Sequence, residues 1–325
     1  VNLGLPAIGL GGVAVTALVA WFGALAIGQE VLQAGWAIPL TVALQALLLF
    51  LSAIAWRIAA GGAAPRLGRW FRIRWIRESV NSLLPVAQIG GNLVAIRLLV
   101  QRGLSGQVAG AAITVDLTLE VLTQFLFTLA GVIVLACIST DRSWAPWLEG
   151  GLVMMGLGLA AFITAQRAGL LRLVEWLGGR LQRVFPSMPV QGLKGLHEEL
   201  LRLEANRGAL LRAGGLHLFA WVLGTFETWL ALTAMGQRPG LAEAFVIESL
   251  GMAARSAGFA VPGGLGVQEG GFILVCGLFG LGPHTAIALS MLKRARELLI
   301  GVPGLLAWQW SEGRRLFARS RPPAA

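Results

Sequence analysis

E-S-L-G-M-A-A-R-S-A-G-F-A-V-P-G-G-L-G-V-Q-E-G-G, from Glu248 to Gly271, is the stretch whose reading decides the fold. It has an echo in the first half, E-S-V-N-S-L-L-P-V-A-Q-I-G-G, from Glu78 to Gly91. Each opens on Glu-Ser, runs through apolar residues to a proline, and closes on a glutamine and paired glycines. Both are embedded in hydrophobic sequence, where a glutamate is costly and a proline or Gly-Gly pair breaks a helix. Irregular backbone at membrane depth is tolerated only where protein buries it or a cavity is lined by it. Interrupted segments at corresponding places in two halves are the sequence mark of a binding site built by an internal repeat.

Working outward, the composition fits a membrane protein. Apolar residues make up 56% and charged residues 13% of the 325, and several runs reach the ~20 apolar residues that span a bilayer. The net charge of +10 is carried mainly by arginines clustered between apolar spans. That distribution points to the positive-inside rule and to anionic membrane lipids as partners, and against nucleic acid. Tyrosine is absent, so the twelve tryptophans are left to supply the aromatic belt. Cys137 and Cys276 stand in apolar runs without ligand spacing and read as packed thiols.

The arginines set an expected topology. A first span covers about 7 to 28; Ala24-Leu25-Ala26 resembles a signal-peptide cleavage site, but no basic region precedes it and another span follows. A second covers about 36 to 56. The basic stretch from Arg57 to Arg77 reads as a cytoplasmic loop, placing both termini in the cytoplasm. The first broken segment, about 78 to 100, then reads as a re-entrant hairpin from the cytoplasm. Spans follow at about 105 to 138 and 147 to 165, with residues 139–142 as a periplasmic loop. The basic connector 167–212 reads as an amphipathic helix on the inner leaflet, from Leu193, Leu196, Leu200 and Leu203. A span at about 216 to 235, a second hairpin at 242 to 280 entering from the opposite face, and a last span at 284 to 310 complete the chain. The expected fold class is all-α: one polytopic membrane domain over 1–325, six spans and two hairpins, with inverted-repeat halves at about 78–138 and 242–310.

Intramembrane charges are expected to mark function, since each costs ~2.5 to 3.5 kcal/mol even on a lenient insertion scale. Asp116, Glu120 and Gln124 share a helix face. Lys293 and Glu297 have the spacing of an intrahelical pair. The helix after each hairpin thus carries charge, acidic in one half and mostly basic in the other. They are expected face to face, with Asp116 and Glu120 opposite Arg255, Arg294 and Arg296. Gln88, Asn92, Gln268 and Glu269 sit at the hairpin tips, where exposed half-helix N-termini favour an anionic or hydroxylated head group. The candidate substrate-binding set is therefore Glu78, Gln88, Asn92, Asp116, Glu120, Gln124, Glu248, Arg255, Gln268, Glu269, Lys293, Arg294 and Glu297. No metal spacing and no G-x-x-x-x-G-K loop occur, so no cofactor or ATP hydrolysis is expected.

These residues carry a resemblance. Glu248-Ser249-Leu250 through Gly271, above all A-V-P-G-G-L-G-V-Q-E-G-G at 260–271, together with Glu120-Val-Leu-Thr-Gln124, resembles the flippase-like family. That family includes the transmembrane domain of lysylphosphatidylglycerol synthases. Within it the chain is most similar to the hopanoid-biosynthesis-associated HpnL membrane proteins. The resemblance implies a lipid translocase of a bacterial inner membrane, moving hopanoids or phospholipid-like amphiphiles, with hopanoid-pathway enzymes or another transporter as partners. The synthases' soluble aminoacyl-transferase domain has no counterpart in these residues, so a transporter is expected rather than an enzyme. An intramembrane lipid transferase and a scaffold for hopanoid-making enzymes are the competing expectations.

Overall fold

The computed structural model describes residues 24–62, 65–84, 90–139, 145–167, 195–258, 261 and 264–319. The described residues form helices and no strand: α1 (Ala24–Gln33), α2 (Ile38–Ala59), α3 (Leu67–Leu83), α4 (Gly90–Val100), α5 (Gly106–Ile138) and α6 (Ala145–Arg167), then α7 (Leu196–Glu204), α8 (Arg207–Ala234), α9 (Leu241–Ala257), α10 (Val267–Gly277) and α11 (Pro283–Arg319). Local chemistry sets several boundaries. Pro39 occupies the first turn of α2. The Ser105 hydroxyl caps α5 by accepting from the Val108 N–H, and the Asn206 side chain caps α8 through the Ala209 N–H.

Gly35–Ala59, Gly106–Ile138, Ala145–Ala165 and Arg207–Ala234 are long and apolar enough to cross a bilayer. α6 turns Trp147, Val153, Met154 and Leu157 outward, as a lipid-facing helix does. This is an all-α polytopic membrane protein. Of the six spans expected, the first lies mostly outside the described residues, as does the 139–142 loop beyond Ser139. The last, α11, is long enough but carries Lys293, Arg294, Arg296 and Glu297 within five residues.

Two expectations are corrected. The first hairpin does not begin at residue 78: the arginine-rich stretch is its first limb, α3, followed by α4. Trp70, Ile73, Ile76 and Val80 bury one face of α3, and Arg74 and Arg77 are buried beside them, while Arg66, Arg69 and Arg72 face outward. Counting every arginine as a loop residue fails where carboxylates within the protein neutralise them. The connector's apolar stripe is not laid on lipid either. Leu196, Leu200 and Leu203 of α7 are buried in one protein core with Trp56, Trp70, Ala109 and Ala112. Leu193 and most of the connector lie outside the described residues, and Arg207 already begins α8.

The helices pack by exchange. Hairpin α3–α4 is followed by α5, and hairpin α9–α10 by α11, yet α5 packs on α9 and α11 packs on α3. The helices that precede the hairpins, α2 and α8, pack on each other. Direction can be read from the contacts. Leu83 meets Gly301, Ser79 meets Gly304, and Arg72 donates to the Ala307 carbonyl, so α3 and α11 run oppositely. Lys293 pairs with Glu248 and Arg255 with Glu297, so α9 and α11 run the same way. It follows that α3 and α9 point in opposite directions. Their limbs end near one level of α11, Arg255 on Glu297 and Leu83 on Gly301. One apolar cluster gathers around Trp56, Trp70 and Leu99, another around Leu232, Ile247, Phe272 and Ile287. Polar side chains fill the space between.

Candidate functional site

Between the two hairpins lies a cavity of about 310 Å³, lined from α2, α3, α5, α8, α9 and α11. Seven of the expected residues line it: Glu78, Glu120, Gln124, Glu248, Arg255, Lys293 and Glu297. Burying charge in protein is tolerable only when each charge is paired and hydrogen-bonded, and among the described residues the lining obeys that rule at every charge but Glu78.

In the first half the bases come from α3. Arg74 Nη1 donates to Asp116 at 2.9 Å and Arg77 Nη2 to Glu120 at 3.0 Å, with crossed contacts from Arg74 to Glu120 and from Arg77 to Asp116. His217 Nε2 lies 3.1 Å from the other Asp116 oxygen, and Arg77 Nε donates to Asn92 at 2.7 Å. Asp116 and Asn92 thus stand behind the lining, held to it by arginines. These two acids were expected opposite Arg255, Arg294 and Arg296; their partners are Arg74 and Arg77, one turn apart on the limb that was read as a loop.

In the second half Lys293 Nζ sits 2.8 Å from Glu248 and 3.8 Å from Glu227. Arg296 pairs with Glu227 and lies 3.6 Å from Glu297, which also takes Arg255. The expected Lys293–Glu297 pair within α11 does not form: Lys293 is held by Glu248 and Glu227, and Glu297 by Arg255. Gln124 donates to the Met252 carbonyl at 3.2 Å and to Ser256, tying α5 to α9.

Gln268, Glu269 and Arg294 are brought together, but as the brace of the second hairpin rather than as cavity lining. Glu269 accepts from the Gly266 N–H, from Ser290 and from Arg294 Nε, each at 2.7 Å. Gln268 donates to Ser290 at 2.7 Å and accepts from Arg255 at 2.9 Å. Both are fully buried. At the N-terminus of α10 the Glu269 carboxylate thus turns back onto the N–H of the residue that precedes the helix. Gly266 at φ +82° makes the turn that aims its N–H at Glu269. In the first hairpin, Asn81 closes α4 in the same way by accepting from the Gly91 N–H at 2.9 Å. Gln88 lies outside the described residues.

The duplicated Glu-Ser text has a common meaning in space. Glu78 and Glu248 both line the cavity, and the next residues, Ser79 and Ser249, are buried. Ser79 nests on Gly304 of α11, and Ser249 on Gly131 of α5; a Cβ at either glycine would overlap the serine. Each hairpin thus crosses the other half's following helix at a serine–glycine contact.

Arg74, Arg77, His217 and Glu227 have no place in the expected site, and Arg296 was expected only as a base opposite Asp116 and Glu120. The helical spacing of Arg74 and Arg77 with Trp70 and Ile73 was the available signal. Asp116, Glu120 and His217 bring possible ligand atoms within 4.8 Å of one another. Two guanidiniums already occupy both carboxylates, which makes the triad a poor cation site. Cys276 is buried in the second core, whereas Cys137 is exposed rather than packed.

A family model, the lysylphosphatidylglycerol synthase TM region, matches residues 8–304, a range that takes in both hairpins and the whole cavity. The chain belongs to that family. A "UPF0104 membrane protein" of Methanothermobacter thermautotrophicus is similar to this member of the synthase TM-region family, 22% identical over 275 residues, covering 78% of this chain and 79% of the relative. No solved structure matches this family member.

Proposed function

We propose that this chain is a lipid transporter, a flippase that passes the polar head group of a hopanoid or related amphiphile across a bacterial inner membrane. Within its family it is read as an HpnL-type member, with both termini cytoplasmic and anionic lipids around it. The observation that carries the reading is the charged cavity between two hairpins that run in opposite directions. Such a pair can open a central site to either side in turn. At about 310 Å³ the cavity has the size of a head group, so the ring system or tail is left to the lipid. Apart from Glu78, the lining charges are held in ion pairs and do not form a constellation around a nucleophile, which favours carriage over transfer chemistry. Passage is passive, proton-linked or driven by a partner.

Purified protein in liposomes tests this. Labelled hopanoid or phospholipid is expected to equilibrate between leaflets faster than in empty vesicles. Glu120→Gln, which halves the carboxylate charge facing Arg74 and Arg77, should slow it about tenfold, equal to ~1.4 kcal/mol on the barrier. Transfer no faster than in empty vesicles overturns the reading. Mass spectrometry of the same lipids separates the alternatives: a flippase leaves them unchanged, whereas a lipid-modifying enzyme of this family yields a product.

A further inference from the structure

Among the described residues, the charges around the cavity cancel in closed groups and leave one over. Arg74 and Arg77 are matched by Asp116 and Glu120. Arg255, Lys293 and Arg296 are matched by Glu227, Glu248 and Glu297. Arg294 and Glu269 pair behind the lining. Glu78 remains. It lines the cavity, half-buried, and among the described residues its carboxylate takes no hydrogen bond and no ion pair.

Each surrounding element accounts for itself. α3 offers Arg74, one turn before Glu78, and Arg77. α9 offers Arg255 and Glu248. Arg74 and Arg255 reach Glu78 only through their fields, since both already donate to other partners. α11 presents Lys293, Arg296 and Glu297; α5 presents Glu120 with Asp116 behind it; α8 presents His217 and Glu227. α2 presents only neutral groups, Gln45 and Ser52 among them. In the sequence, residues 85–89 and 259–263, between the helices of each pair, contain no charged residue. Among the described residues Glu78 is therefore the lining carboxylate whose oxygens no donor engages.

We propose that Glu78 is the proton-binding site of the cavity and that head-group passage is coupled to one proton through it. The coupling rests on the transport reading; the proton site itself does not. A proton taken from one aqueous face forms the O–H bond on Glu78, brings the lining together with Asp116 behind it to zero net charge, and leaves to the other face once the cavity has reoriented. Asp116, Glu120 and Glu269 each hold an arginine and are not available for this exchange.

Two measurements on the full chain decide it. Infrared difference spectra of the protein in nanodiscs, between acid and alkaline buffer, should show a protonated-carboxyl stretch that Glu78→Gln removes and Glu78→Asp keeps. A Glu78→Gln spectrum identical to wild type overturns the proton site. In liposomes a pH gradient should accelerate lipid transfer by wild type severalfold and leave Glu78→Gln insensitive to it. Wild-type transfer that ignores the gradient overturns the coupling while transport stands. If wild type moves no lipid, the transport reading fails and the infrared band still decides whether Glu78 holds the proton.

Discussion

Arg77 donates to Asp116, Glu120 and Asn92 and lies 5.3 Å over the ring of Trp56, so one guanidinium joins α3 to α2, α4 and α5. Trp56 is itself fixed, its indole N–H donating to the Ala112 carbonyl at 3.1 Å and its ring edge-on to Trp70. Removing one member of a buried ion group leaves the others desolvated and unpaired. Arg77→Ala is therefore expected to destabilise the protein by about 3–5 kcal/mol in denaturant unfolding in detergent. Arg77→Leu combined with Glu120→Leu removes one charge of each sign and should lose less than the single variant. Equal losses would mean that the four charges do not act as a group. At this scale the acids were legible, since a carboxylate in an apolar helix declares itself. Their partners were not, because Arg74 and Arg77 stand in an arginine run that looks like a loop until a helix separates its buried face from its outer one.

The serine–glycine crossings govern how the hairpins are held. Gly131 and Gly304 let Ser249 and Ser79 approach the backbone of the other half's helix, and Trp75 adds a bond from its indole N–H to the Ile300 carbonyl at 2.8 Å. That carbonyl lies close to Pro303, whose missing N–H interrupts the ladder of α11. Gly131→Leu and Gly304→Leu should each destabilise by about 1–3 kcal/mol through overpacking, read as a lower melting temperature. Gly150, with open space around it, is the control, and Gly150→Leu should stay within about 0.5 kcal/mol. Both hairpins were legible as elements from their prolines and paired glycines. The second matched its expected limits closely. The first began earlier than expected because its entering limb is as basic as a cytoplasmic loop. Gly131 and Gly304 carried no signal, being ordinary small residues in apolar helices.

Across the whole molecule, the exchange of partners between the two halves makes the cavity a shared product. No single half encloses it: α3 and α9 bring their glutamates from opposite directions, and α5 and α11 each brace the other half's hairpin. Opposite-running hairpins have their entrances at opposite ends. With Cys137 and Cys276 replaced, Gly68→Cys at the start of α3 and Gly240→Cys just before α9, both exposed, report this directly. A membrane-impermeant maleimide on intact cells should label Gly240→Cys, and label Gly68→Cys only after permeabilisation. Labelling of both from one side would place the hairpins in parallel and remove the basis for alternating access.

The sequence alone determined that the chain is helical and membrane-embedded, that it holds two broken segments opening on Glu-Ser, and that acids lie where acids are costly. Those properties follow from local composition and period, which hydrophobic burial reads directly. Only the tertiary structure decided which base meets which acid, that Glu269 turns back on the start of its own helix, and that Glu78 is left without a partner among the described residues. Pairing of buried charges depends on which helix faces stand within a few ångströms of each other. That is a property of packing between distant segments, and no local pattern encodes it.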